Sequence, residues 1–107
     1  MDNTITETRP MSVFCTAKDG YTMRFNNGLV ISLRWTEGDI KVMNGSQSKN
    51  AEISIWDGDG KNFVFFNSYV HDDLDTNEVA EWISIVSTAD DLKHLYHMAL
   101  AKKLLFA

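Results

Sequence analysis

Hydrophobic and polar positions alternate with a period of two over the first two thirds of the chain, then recur at three- and four-residue spacing after Asp75. Tyr21, Met23 and Phe25 alternate with polar residues, and the alternation resumes as Leu29, Ile31, Leu33 and Trp35 beyond Asn26-Asn27-Gly28. Asn and Gly accept the positive φ of tight hairpin turns, so 21–25 and 29–36 are predicted as a β-hairpin. Met11 to Ala17 reads as a further strand, joined through the turn residues Lys18-Asp19-Gly20 to make a three-stranded meander. Residues 37–50 have only Ile40, Val42 and Met43 as apolar anchors among Gly, Ser, Asn and Lys, and read as an exposed loop. A second hairpin is predicted from Glu52 to Trp56 and from Asn62 to Phe66, around Asp57-Gly58-Asp59-Gly60-Lys61. Phe63 to Phe66 is apolar on both faces, which places it inside the sheet as a covered strand.

Val79, Trp82, Ile83 and Val86 form one helical stripe, with Asp75 and Glu78 spaced as a capping box at its start. Leu92, Leu95, Tyr96, Ala99, Leu100 and Leu104 form a second stripe. Ser87 and Thr88, followed by Asp90 and Asp91, read as a fresh N-cap and favour two helices. One bent helix is the alternative, since neither Gly nor Pro interrupts 75–105. The predicted class is α+β: an antiparallel sheet of about five strands, from two hairpins, covered by one or two C-terminal helices. The odd-numbered face of the first hairpin is the expected partner of Trp82 and Ile83.

With 107 residues, the chain is expected to be a single domain, strand-rich over 11–66 and helical over 75–105. No run of about 18 apolar residues is present to span a bilayer. The start, Met1-Asp2-Asn3-Thr4, lacks the positive charge and apolar run of a secretory signal. Cys15 has no second cysteine to pair with, and the expected location is the cytoplasm. In its predicted strand the thiol is expected to act as a small buried hydrophobe. The formal net charge of -5 argues against direct nucleic-acid binding, which needs Lys and Arg on phosphates.

That charge is localised. Residues 1–71 are nearly neutral, whereas 72–91 carry Asp72, Asp73, Asp75, Glu78, Glu81, Asp90 and Asp91 with no Lys or Arg. Such a stretch serves as a solvated, capping face of a helix, or as a surface complementary to a basic partner. Asp57-Gly58-Asp59-Gly60 has the opening of a calcium loop, but Lys61 and Asn62 stand where a ligand and a Gly are required, so a hairpin turn is expected. Asp90, His94 and His97 share a helix face, and His71 with Asp72 and Asp73 offers further ligand types. Exposed polar residues opposite the Leu stripe are the simpler reading, and no metal or cofactor is assigned. No nucleophile elbow or phosphate-binding Gly loop is present, so no catalytic residue is assigned. Leu104-Leu105-Phe106 invites burial, either on the protein's own sheet or, with Leu100, across a homodimer interface.

Three pieces together resemble a group of small phage-encoded proteins of unassigned function. They are the hairpin from Phe25 to Trp35, the strand from Ala51 to Asp57 with its Gly-Asp-Gly turn, and Asp72-Asp73-Leu74 leading into Glu78 to Ile83. The resemblance covers about 25–86 and implies a context, a small protein that binds and blocks a host factor such as a bacterial defence system. The resulting expectation is a host protein with a basic surface, bound through the acidic residues and the loop 37–50. The alternatives are a virion assembly component that oligomerises through the last helix, and a cryptic hydrolase or metal protein.

Overall fold

The computed structural model describes residues 12–17, 20–35, 40–42 and 45–106, with backbone alone at 16–17, 40–42 and 45–47. Strands β1 (Val13–Ala17), β2 (Gly20–Arg24) and β3 (Val30–Trp35) form the expected meander. Strands β6 (Ala51–Trp56) and β7 (His71–Leu74) complete an antiparallel sheet of order β1-β2-β3-β6-β7. Helices α1 (Thr76–Thr88) and α2 (Leu92–Ala101) follow. The fold is α+β with five strands in the main sheet, followed by two helices, the favoured reading, and not one bent helix.

Three details differ from the sequence reading. Within 37–50, strands β4 (Ile40–Val42) and β5 (Gly45–Gln47) pair as a separate small sheet. The alternation Ile40-Lys41-Val42 ahead of Asn44-Gly45 is the local signal for that hairpin.

Phe63 to Phe66 is not a strand of the sheet. Asp57 closes the preceding turn by accepting at Oδ1 from the Asp59 and Lys61 N–H groups, both at 2.9 Å, and Gly60 takes φ 85. Pairing continues through the Asp57 N–H donating to the Lys61 carbonyl at 2.9 Å, a Trp56 to Asn62 bridge and the Phe63 N–H donating to the Ile55 carbonyl at 2.8 Å. The chain then turns back between Phe65 and Ser68, with Asn67 at φ 69. Segment 71–74 takes the place beside β6, pairing Leu74 with Ala51 and His71 with Ile53. Its sequence, His-Asp-Asp-Leu, has neither alternation nor strand-forming residues, so packing rather than propensity sets it there. Phe63 and Phe65 sink against Trp82, with ring centroids 6.0 and 5.2 Å away. Val64 and Phe66, expected to be covered, are 50% and 53% exposed.

The third difference concerns the second helix. Its cap is Asp91, whose carboxylate accepts from the His94 N–H at 2.8 Å. Ser87 and Thr88 instead belong to the end of α1, where both hydroxyls donate to the Ser84 carbonyl.

The core lies between α1 and the odd-numbered sheet face. Leu29, Ile31, Leu33, Ile53 and Ile55 from the sheet meet Val79, Trp82, Ile85 and Val86 from α1, all buried. The predicted capping box forms, with Asp75 accepting from the Glu78 N–H at 2.8 Å and Glu78 accepting from the Asp75 N–H at 2.9 Å. At the other end of α1, Asn27 Nδ2 donates to the Val86 and Ala89 carbonyls, both at 2.7 Å, while its Oδ1 accepts from Leu29 N–H at 3.0 Å. The hairpin turn thus supplies partners for helix-end carbonyls that the helix leaves unpaired. α2 ends in a Schellman arrangement. Lys103 has φ 62 and donates to the Leu100 carbonyl at 3.0 Å, and Leu104 donates to Ala99 at 2.9 Å. This reversal returns Leu105 to the core.

Candidate binding surface

The acidic residues do not form one patch. Asp72, Asp73, Asp75, Glu78 and Glu81 lie on β7 and the first turns of α1, whereas Asp90 and Asp91 open α2 beyond the far end of α1. All seven are exposed. A helix of 13 residues is about 20 Å long, so the two groups stand roughly that far apart. Asp75, Glu78 and Asp91 have capping duties, and Asp73 accepts from Asn50 Nδ2 at 2.9 Å. Asp72 and Glu81 carry no such role among the described residues.

An aromatic ledge lies beside α2. An open groove of about 560 Å³ is lined by Val64 and Phe66 on one side and by Leu92, Lys93, Tyr96 and Phe106 on the other. Protein interfaces concentrate aromatic side chains in an apolar centre and place charge at the rim. Phe66 connects the groove to the first acidic group, because its ring lies 5.4 Å from His71, which precedes Asp72. Asp90 and Asp91 immediately precede Leu92 and Lys93, two of the residues that line the groove.

His71 sits among the rings of Phe65, Phe66 and Trp82, at 5.2, 5.4 and 5.9 Å. Burial lowers its pKa from the ordinary 6.5, against the opposing pull of the Asp72 and Glu78 carboxylates. It is a packing residue of this wall, not part of a ligand set. His94 Nδ1 accepts from the Asp90 N–H at 2.9 Å and lies 3.5 Å from Asp90 Oδ2, so it completes the α2 cap. His97 packs beside Tyr96 at 5.7 Å. Among the described residues, no three His, Cys, Asp or Glu side chains converge as a metal site.

The proposed interface of the last helix is largely internal. Leu105 is 4% exposed, and Leu100 and Leu104 pack half-buried against the core. Only Phe106, at 72% exposure, presents itself to solvent. Cys15 corrects a further expectation, being exposed on β1 instead of buried. β1 is the last strand of the sheet, at the end away from the main packing of α1 on β3, β6 and β7.

Sequence reading placed Phe66 in a covered strand and Tyr96 in the core stripe, and so missed the ledge. The available signal was Asn67-Ser68, turn residues that end the apolar run after Phe66. The side chains of 40–42 and 45–47, within the loop proposed as a contact, lie outside the described residues. No described helix is long and apolar enough to cross a membrane. Comparison with protein-family models, with curated proteins and with solved structures finds no match.

Proposed function

We propose that this is a small binding protein that blocks or modulates a host protein by seating a basic segment of that partner on the aromatic groove. The observation that carries the reading is the exposure of Phe66, Tyr96 and Phe106 around one groove, on a molecule whose acidic residues within 72–91 are also exposed. A bulky apolar side chain of the partner fills the groove, and its flanking Lys or Arg residues face Asp72, Glu78 and Glu81 at one end and Asp90 and Asp91 at the other. The acids steer the encounter, while the groove supplies the buried centre. The resemblance to small phage proteins makes a bacterial protein, including a defence factor, the natural partner. Virion assembly through the last helix is less well supported, because Leu105 is spent in the protein's own core.

Immobilised protein is challenged with bacterial lysate, and the retained protein is identified by mass spectrometry. One dominant partner is expected, lost on raising salt toward about 1 M, where the screening length falls to about 3 Å. Phe106→Asp abolishes retention, and Asp72→Lys with Glu81→Lys weakens it. These acidic positions have no capping role, so their reversal leaves the helices intact. Retention indifferent to salt and to both sets of substitutions would overturn the proposal.

A further inference from the structure

The two edges of the sheet are built differently. At the β7 edge the register with β6 shifts between Ala51 and Ile53, Asp73 takes φ 60, and Asp72 and Asp73 are exposed. Bulges, short strands and charges are the devices that keep an edge from pairing with another chain. β1 has none of them. Val-Phe-Cys-Thr-Ala contains no charge, Gly or Pro, and its register with β2 is unbroken over all five residues. Among the described residues its outer side has no neighbouring strand.

We propose that β1 pairs antiparallel with β1 of a second copy about a two-fold axis at Cys15, joining the two sheets into one. In this register 13 faces 17, 14 faces 16, and Cys15 faces Cys15 of the second copy. Absence of charge lets the strand face itself without repulsion.

Phe14 supplies the reason for a second copy over an arbitrary strand. It is paired with Met23, hence on the same sheet face as the core, yet is 78% exposed, because α1 is centred on β3, β6 and β7. Next to it Tyr21, Met23 and Phe25 are only half-buried, at the margin of the core. The two-fold axis puts the Phe14 rings on diagonal positions about 7–8 Å apart, within reach of each other. Each then covers apolar surface that its own helices leave open. This surface is distinct from the aromatic groove, so either proposal can fail alone.

Cys15 is the sole cysteine of the chain and reports on this axis without engineering. Directly opposed strand residues have Cα atoms about 4.5–5.5 Å apart, inside the range a disulfide spans. Copper(II)-phenanthroline is added to native protein, and the two thiols give two electrons to the oxidant and release two protons. A covalent dimer is expected on a non-reducing gel. The comparison chain carries Cys15→Ser with Ser12→Cys, which moves the thiol three residues from the axis. Two such thiols lie about 20 Å apart at about 3.3 Å per residue, so their cross-linking is at least about ten-fold slower than that of Cys15. Phe14→Lys also lowers the Cys15 yield. Equal rates for the two cysteine positions mean random collision and overturn the proposal, as does a Cys15 yield unmoved by Phe14→Lys. Reduced wild-type protein that keeps the monomer mass by light scattering up to solubility overturns it independently.

Discussion

Strands β3 and β6 and strand β2 share one alternating pattern, but the two ends of the sheet they belong to have different fates. Ile31 and Leu33 on β3 and Ala51, Ile53 and Ile55 on β6 are buried beneath α1, whereas on β2 Tyr21 and Met23 are half-buried, and on β1 the same face exposes Phe14. Geometry accounts for this. A helix is about 10 Å across and strands are about 4.8 Å apart, so one helix covers about three strands. α1 is laid mainly on β3, β6 and β7, and the main packing of α2 is on α1. Period two therefore marks a face that can be buried, while the supply of helices decides which part of it is.

The largest test of this contrast is deletion of a side chain at each end. Trp82 is 1% exposed and touches Phe63, Phe65 and His71, so Trp82→Ala should cost about 3–5 kcal/mol. Phe14→Ala on the open end should stay within about 0.5 kcal/mol, measured by urea unfolding at low protein concentration. Comparable losses would mean that the β1 end is as well packed as the helical end.

The role of Trp82 was legible because a helical stripe names its own face. The contribution of Asn27 was not. Its sequence context announces a hairpin turn, and nothing local indicates that the amide also holds the end of α1, 59 and 62 positions away. Asn27→Ala leaves the Val86 and Ala89 carbonyls without that donor, and the expected cost is about 2 kcal/mol. Asn27→Asp separates the two roles, since it keeps the acceptor for Leu29 N–H but turns the donor into a repelling charge. A loss no greater than that of an ordinary turn substitution would show that α1 is not tied to the hairpin.

Acidic segments show the same limit from the other side. The capping box of Asp75 and Glu78 was readable from spacing alone. The chain between β6 and α1 was not, because β7 is formed by residues whose identity favours a loop. His71 gives a way to probe that wall. Its folded-state pKa lies below the ordinary 6.5 because burial disfavours the charged ring. The unfolded chain therefore takes up the proton first as pH falls. The contribution of His71 to stability is complete above about pH 6.5 and is lost as pH drops through the lowered folded-state value. Melting temperature followed from about pH 8 to about pH 5 should decline, and His71→Phe should remove most of that decline. A decline unchanged by the substitution would place its origin elsewhere. The effect is smaller than that of Trp82→Ala or Asn27→Ala, since the Asp72 and Glu78 carboxylates oppose it.

Relief of strain at the C-terminal turn gives the smallest change and the opposite sign. Lys103 occupies the left-handed position of the Schellman motif, where Gly is usual because a Cβ crowds the neighbouring carbonyl. The side chain is exposed, so its removal costs no packing. Lys103→Gly should raise stability by about 0.5–1 kcal/mol, the relief of strain exceeding the extra chain entropy of Gly. Sequence reading found the apolar run at 104–106 but not this reversal, because a Lys gives no sign of positive φ. The turn directs Leu105 inward and leaves Phe106 on the groove. A gain in stability with unchanged partner retention would separate the two jobs. A loss of stability would mean that Lys103 holds the turn by contacts of its side chain rather than in spite of it.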